Sequence, residues 1–282
     1  MVTETKVHPL VEKYFRIDRM PHLACPGCGI GMVMQYTLMA IDELGIDPVK
    51  FAWVTGVGCS SRLPYAVWKG DCIDATHGRP LAMATGLKLA RPDLTVMVYT
   101  GDGDCLSIGG NHFIHACRRN VPMTVVMFNN QIYGMTGGQT APTTPTGYET
   151  QTTPYGNIEE PFDGCKLAAA AGAVYVCRWT TFQPKRIVSS LKKGLSKNGL
   201  SYIEIFSACP TQFGRYALKI GDPVKLATWI RESTIDLKKA ETMTKDELGN
   251  KIVVGEYVDT EAPSLVDRYA ELFDKVKKGG SS

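Results

Sequence analysis

The run Leu94-Thr-Val-Met-Val-Tyr-Thr-Gly-Asp-Gly-Asp104 decides the fold. A stretch that is almost all apolar or β-branched stops abruptly at a Gly-Asp-Gly turn, so residues 95–100 read as a strand. It is apolar at nearly every position rather than every second one, as in a sheet covered on both faces. Similar runs stand at 51–55, 123–128, 173–176 and 202–206. Helical patterns occupy 32–44, 62–68, 80–90, 109–119, 161–171 and 184–196. Alternating strands and helices predict an α/β fold with a mostly parallel sheet and helices on both faces.

The 282 residues correspond to one large α/β domain or about two domains of ordinary size. A chain this long buries roughly three quarters of its unfolded surface and needs no staple. Hydrophobic residues at 44% and charged residues at 21% exclude a disordered or fibrous chain. A net charge of +3, evenly spread, argues against a nucleic-acid partner. No apolar run approaches the roughly 18 residues of a membrane span. The first residues include Glu4, Lys6, His8, Glu12 and Lys13 and hold no apolar h-region, so no signal peptide is expected and the expected location is cytoplasmic. Residues 1–216 read as the α/β domain. Residues 217–282 shift to charged helical segments at 232–245 and 265–278, a C-terminal helical arm packing on the domain or on a partner subunit. Residues 140–157, rich in Thr, Pro, Gly and Tyr and without a period, read as a long functional loop.

The Gly-Asp-Gly-Asp turn sits where an open α/β sheet binds ligands, beyond the carboxyl end of a strand. A dinucleotide fingerprint would need a third glycine where Leu106 stands, and Asp102 and Asp104 would repel a bare pyrophosphate. A divalent cation removes that conflict, because Mg²⁺ joins a carboxylate to diphosphate oxygens. Asn130 follows Asp102 by 28 residues, the span of one right-handed crossover, which brings both to the same sheet edge. The Asn130 amide oxygen then becomes a second ligand, and the Ile132 carbonyl can supply a third.

Nine cysteines without a secretory context point away from a disulfide framework and toward metal or redox use of some of them. Cys25-Pro-Gly-Cys28 lacks the preceding strand of a thioredoxin site and the second C-x-x-C of a zinc ribbon. Cys59 follows strand 51–55 and Cys209 follows strand 202–206, on the same edge as Asp102 and Asn130. Four thiolates converging there suit a [4Fe–4S] cluster. Cys72, Cys105, Cys117, Cys165 and Cys177 lie within strand or helix patterns and read as small buried apolar residues.

Gly101-Asp-Gly103 with Asn130 resembles the thiamine diphosphate motif. Ile108-Gly-Gly-Asn-His-Phe-Ile-His115 and Phe128-Asn-Asn-Gln-Ile-Tyr-Gly-Met-Thr-Gly-Gly-Gln139 extend the likeness. Over residues 20–215 the chain is similar to the β subunits of 2-oxoacid:ferredoxin oxidoreductases. The resemblance implies the diphosphate-binding domain of the thiamine diphosphate-binding fold, with Asp102, Asn130 and the Ile132 carbonyl on Mg²⁺. It implies that Gly103, Asp104, Gly134 and Met135, beside Gly101, line the diphosphate. Val57, Gly58, Cys59 and Ser60, with His77, Gly78, Arg79 and Pro80, would complete the pocket, although spacing alone leaves His77 a surface turn histidine. It also assigns Cys25, Cys28, Cys59 and Cys209 to the cluster.

The implied chemistry removes CO₂ from a 2-oxoacid, passes two electrons singly to the cluster and on to ferredoxin, and transfers the acyl group to coenzyme A. No catalytic residue is assigned on this chain, because the resemblance places the activating glutamate on a separate α subunit. The assembly implied is a heterodimer, doubled. The wording of 132–139 is most similar to the branch acting on 2-oxoglutarate. Some relatives carry a lysine at the position of Gly137, and here Arg62 and Arg79 are the candidate cations for the distal carboxylate, unless the α subunit supplies one. The alternatives are pyruvate or another 2-oxoacid as substrate, a non-redox thiamine diphosphate decarboxylase, or an electron-transfer or zinc-binding subunit without catalysis.

Overall fold

The computed structural model describes residues 7–279. Glu4 and Lys6 of the expected leaderless N-terminus lie outside the described residues. Eight strands form one sheet: β1 (Phe51–Thr55), β2 (Cys72–Asp74), β3 (Thr95–Gly101), β4 (Thr124–Asn129), β5 (Tyr175–Thr180), β6 (Ser201–Phe206), β7 (Thr234–Asp236) and β8 (Ile252–Asp259). The order is β2-β1-β3-β4-β6-β5-β8-β7. The first six strands run parallel, β8 lies antiparallel to β5, and β7 is parallel to β8.

The central strands bury both faces because both faces are apolar. On β3 and β4, Met97, Tyr99, Val126 and Phe128 point into one core, under helices Gly29–Glu43, Cys59–Val67 and Pro184–Ser196. Val96, Val98, Val125 and Met127 point into the other, under helices Pro80–Ala90, Gly110–Arg118 and Gly164–Ala170. Prolines open Pro80–Ala90, Pro184–Ser196 and Pro223–Ser233, where the missing N–H costs nothing. Cys105, Cys117 and Cys165 are buried in the second core and Cys177 in the first, while Cys72 is half-buried against it. All nine cysteines are free thiols.

Two stretches differ from the sequence reading. The strand expected at 173–176 runs instead over Tyr175–Thr180, carrying Arg178 into the sheet opposite Glu204 of β6. The 232–245 segment is not one helix: Pro223–Ser233 ends before β7, and only Leu237–Ala240 and Lys245–Leu248 follow before β8. Strand formation wins because β-branched Thr234-Ile235 and Ile252-Val-Val254 pair with each other, and β8 finds the open edge of β5. Among the described residues no helix is long and apolar enough to cross a membrane.

Arg178 donates to Glu204 from Nε at 2.7 Å and from Nη2 at 3.2 Å, and to Asp163 at 2.6 Å. Glu204 is fully buried and also accepts from Asn129 Nδ2 at 2.8 Å, and Asn129 Oδ1 takes the Gln131 N–H at 3.2 Å. A buried charge stripped of its partner typically costs about 3–5 kcal/mol. Arg178→Met is therefore expected to lower unfolding stability by about that amount. Replacing Glu204 by Leu as well should recover part of the loss in the same denaturant titration.

Candidate functional site

A cleft of about 250 Å³ opens at the carboxyl edge of β1, β3 and β4. The strand order reverses there, β2 lying to one side of β1 and β3 to the other. The cleft is lined from the loop after β1 by Val57, Gly58, Cys59 and Ser60, and from the loop after β2 by His77. Gly101, Asp102, Gly103 and Asp104 contribute after β3, and Asn130, Ile132, Gly134 and Met135 after β4. Tyr133 and Thr136, from the 133–139 segment expected to sit over the reactive carbon, line it too. Gly103 must be glycine: a Cβ there would fall 2.1 Å from the Tyr133 ring.

Asp102 is 4% exposed. Its Oδ1 accepts the Gly103 N–H at 2.9 Å and its Oδ2 accepts the Thr143 hydroxyl at 2.6 Å. Burial pushes its carboxyl up to about 6, and the bonds from Thr143 and Gly103 pull the other way without cancelling it. A carboxylate in that position gains by meeting a cation. Between Asn130 and Ile132, Gln131 takes a left-handed backbone with φ of 56°, turning the chain so that residues on either side reach the cleft. Asp102, the Asn130 amide and the Ile132 carbonyl form an all-oxygen donor set, the kind Mg²⁺ takes together with phosphate oxygens.

Asp104 is buried, and its carboxylate is committed within the protein. Oδ1 accepts N–H groups of Gly78 at 2.7 Å and Val57 at 3.3 Å, and Oδ2 accepts the Thr100 hydroxyl at 2.6 Å. His77 Nδ1 also approaches Oδ1 at 2.8 Å, a close contact that lacks the alignment of a directional hydrogen bond. Asp104 thereby ties together the loops after β1, β2 and β3. Gly78, Arg79 and Pro80 do not line the cleft. Gly78 spends its N–H on Asp104, Arg79 turns its guanidinium back to the His77 carbonyl at 2.8 Å, and Pro80 opens a helix. Arg62 is exposed on Cys59–Val67 and also stays out of the lining. Among the described residues, none that lines the cleft is Lys or Arg.

The four cysteines sit beside this cleft. Cys28 caps Gly29–Glu43 and Cys59 opens Cys59–Val67, so two helix N-termini favour negative charge there. The Cys28 N–H closes on the Cys25 carbonyl at 3.0 Å, making the C-x-x-C a tight turn. Burial pushes the Cys28 thiol up to about 12 and the Cys59 thiol up to about 11, and the other thiols add to both shifts: Cys25, Cys59 and Cys209 at Cys28, Cys25 and Cys209 at Cys59. The four are close enough to feel one another. Yet among the described residues no three His, Cys, Asp or Glu side chains crowd closely enough to hold a single ion. A four-iron cage binds each thiolate to a different iron and tolerates that wider spacing. Gly134 stands between thiols and cleft: a Cβ there would lie 3.2 Å from Cys209 Sγ and 3.9 Å from Cys59 Sγ.

Residues 56–205 match the family of thiamine pyrophosphate enzyme C-terminal TPP-binding domains. The chain is 52% identical over 271 residues to the 2-oxoglutarate synthase subunit KorB of Methanocaldococcus jannaschii, covering 96% of this chain and 99% of that one. It is 49% identical to the subunit of the same name from Methanothermobacter marburgensis, covering 93% and 92%. Among solved structures it resembles the 2-oxoglutarate:ferredoxin oxidoreductase from Magnetococcus marinus, with 2-oxoglutarate, coenzyme A and succinyl-CoA bound. The TM-score is 0.82 at 35% identity, over 95% of this chain and 90% of that one.

Proposed function

The chain belongs to the family of 2-oxoacid:ferredoxin oxidoreductase β subunits, in the branch of the 2-oxoglutarate synthases, and from that premise we propose its reaction. With an α subunit it carries out the reversible oxidative decarboxylation of 2-oxoglutarate with coenzyme A, giving succinyl-CoA, CO₂ and reduced ferredoxin. The observation that carries this reading is the shared wall at Gly134, which has the oxygen-donor cleft on one side and the thiols of Cys59 and Cys209 on the other.

Thiamine diphosphate, when bound, supplies the carbon nucleophile that makes loss of CO₂ from a 2-oxoacid feasible and holds the released electrons. On this chain Asp102, Asn130 and the Ile132 carbonyl hold Mg²⁺, and the loops stitched by Asp104 shape the cradle. Val57, Gly58, Ser60, His77, Gly101, Gly103, Gly134 and Met135 form its walls. Cys25, Cys28, Cys59 and Cys209 would hold one [4Fe–4S] cluster, which would supply one-electron transfer toward ferredoxin. The absence of Lys and Arg from the described lining supports placing the cation for the distal carboxylate on the α subunit, together with the activating glutamate. Residues 1–216 carry the site. In the 217–282 arm, β8 joins the sheet, and helix Leu265–Gly279 leaves Tyr269, Leu272, Phe273 and Val276 exposed at one-face spacing. That stripe supports a partner contact for the end of the arm, in an assembly of two αβ pairs.

The test is kcat/KM of the assembled enzyme with ferredoxin for 2-oxoglutarate and pyruvate. A preference of about tenfold or more for 2-oxoglutarate is expected, since a recognised charged group commonly discriminates at least that well. A preference for pyruvate or a branched-chain 2-oxoacid overturns the substrate. A colourless protein that neither contains iron nor bleaches with dithionite overturns the redox half and favours a non-redox decarboxylase.

A further inference from the structure

Two adjacent threonines of the 140–157 loop each grip one arm of the proposed metal site. Thr143 is 3% exposed, and its hydroxyl donates to Asp102 Oδ2 at 2.6 Å. Thr144 is fully buried, and its hydroxyl donates to the Gln131 carbonyl at 2.7 Å while accepting the Ala141 N–H at 2.9 Å. Asp102 stands at the end of β3 and Gln131 beyond the end of β4, so neighbouring residues of one loop bridge two strands.

The loop is itself fastened. Asn157 Nδ2 donates to the Thr144 carbonyl at 2.8 Å. The hydroxyls of Thr140, Thr150 and Thr153 lie 2.6, 2.8 and 3.0 Å apart in pairs, forming a closed ring of hydrogen bonds. A grip of this kind does not swing with solvent.

Each oxygen of an ionised carboxylate has two acceptor sites. On Asp102 the Gly103 N–H and the Thr143 hydroxyl each bond one oxygen, and the backbone N–H groups of Gln131 and Asn130 also act on the carboxylate, so its plane is fixed against the Asn130–Ile132 turn. Mg²⁺ demands near-ideal octahedral geometry, whereas Ca²⁺ accepts irregular oxygen shells. We propose that Thr143 and Thr144 are positioning residues that hold Asp102 and the Asn130–Ile132 turn at the spacing Mg²⁺ requires, so that this clasp sets which divalent ion the site prefers. The proposal rests on reading Asp102, Asn130 and Ile132 as the Mg²⁺ ligands.

The experiment uses the assembled αβ enzyme stripped of metal, with thiamine diphosphate saturating. Mg²⁺ and Ca²⁺ are titrated separately by calorimetry. Thr143→Val keeps the shape and deletes the hydroxyl. Its Mg²⁺ dissociation constant is expected to rise about 10- to 100-fold, the usual cost of losing a partner behind a metal ligand. Ca²⁺ should change by less than about threefold, because its shell adapts. Thr143→Ser is expected to restore the Mg²⁺ preference. Equal weakening of both ions, or failure of serine to restore the preference, overturns the clasp in favour of general loosening. Asp102→Ala separates the two readings. If it loses both ions while Thr143→Val titrates as wild type, the ligands stand and the clasp falls. If Asp102→Ala binds Mg²⁺ as wild type, the metal reading falls and the clasp falls with it. Should Thr143→Val not assemble, Thr143→Ala is read against the same criteria.

Discussion

Purified with its α subunit, Asp102→Ala enzyme is expected to emerge from gel filtration nearly free of thiamine diphosphate. Loss of a residue behind a metal ligand commonly costs 10- to 100-fold in affinity, so loss of the charged ligand itself should cost at least about 100-fold. The fold should survive. Burial raises the Asp102 carboxyl to about 6 when no cation is present, so the folded apoprotein is penalised for ionising it at pH 8. A folded-state value above the unfolded one means that this penalty grows as pH rises past 4 and is complete above about 6. Alanine removes it. Against that gain stand the Thr143 hydroxyl and the Gly103 N–H, left without their acceptor, so the apo variant should melt closest to wild type at pH 8 and fall further below it toward pH 4. Wild-type cofactor content in the variant sinks the assignment of Asp102, and a melting temperature far below wild type would mean that Asp102 serves the fold instead.

Cys209→Ala is expected to yield protein that has lost most of its iron and its dithionite-bleachable colour, whereas Cys117→Ala keeps both. Cys209 joins the other three thiols across 150 residues of sequence from Cys59, yet both thiols stand against Gly134. Its Sγ accepts the Gln212 N–H at 3.4 Å and lies 3.1 Å from the Thr211 hydroxyl, donors suited to a charged sulfur. Cys117 instead is fully buried among apolar side chains. Iron and sulfide analysis of the anaerobically purified complex decides the matter, and a full iron complement after loss of Cys209 means that the fourth ligand is another residue.

The parts of this molecule that could be read from sequence are those where one residue type serves one physical need. An all-apolar run ending in Gly-Asp-Gly marks a buried strand with a ligand turn, and 28 residues to Asn130 marks one crossover, as the pairing of Gly101 with Phe128 bears out. Helices with proline at the first position, such as Pro80–Ala90 and Pro184–Ser196, were legible to the residue. Strand β8 was not, because its partner β5 lies about 80 residues away and the charged sequence around it reads as helix. Thr143 was hidden for another reason: a threonine in a Pro-rich turn carries no period, and only the folded loop shows what its hydroxyl meets. Arg178 and Glu204 did leave a signal. Each is a lone charge within an apolar strand, and such charges are seldom buried except in pairs. The positions of Arg79 and Pro80 outside the cleft follow from helix geometry, since a chain that starts a helix at Pro80 has already turned away from the sheet edge.

The wall at Gly134 bears on how such a protein can change through descent. Every single-base change that replaces a glycine adds at least a Cβ, and here that atom would meet the sulfur of Cys209 at 3.2 Å. A lineage cannot reshape this side of the cleft without also disturbing its thiols. Met135, about half exposed, and Thr136 line the same cleft without that entanglement. Heritable change in the shape of this cleft is thus channelled past position 134 and into the few residues that follow it.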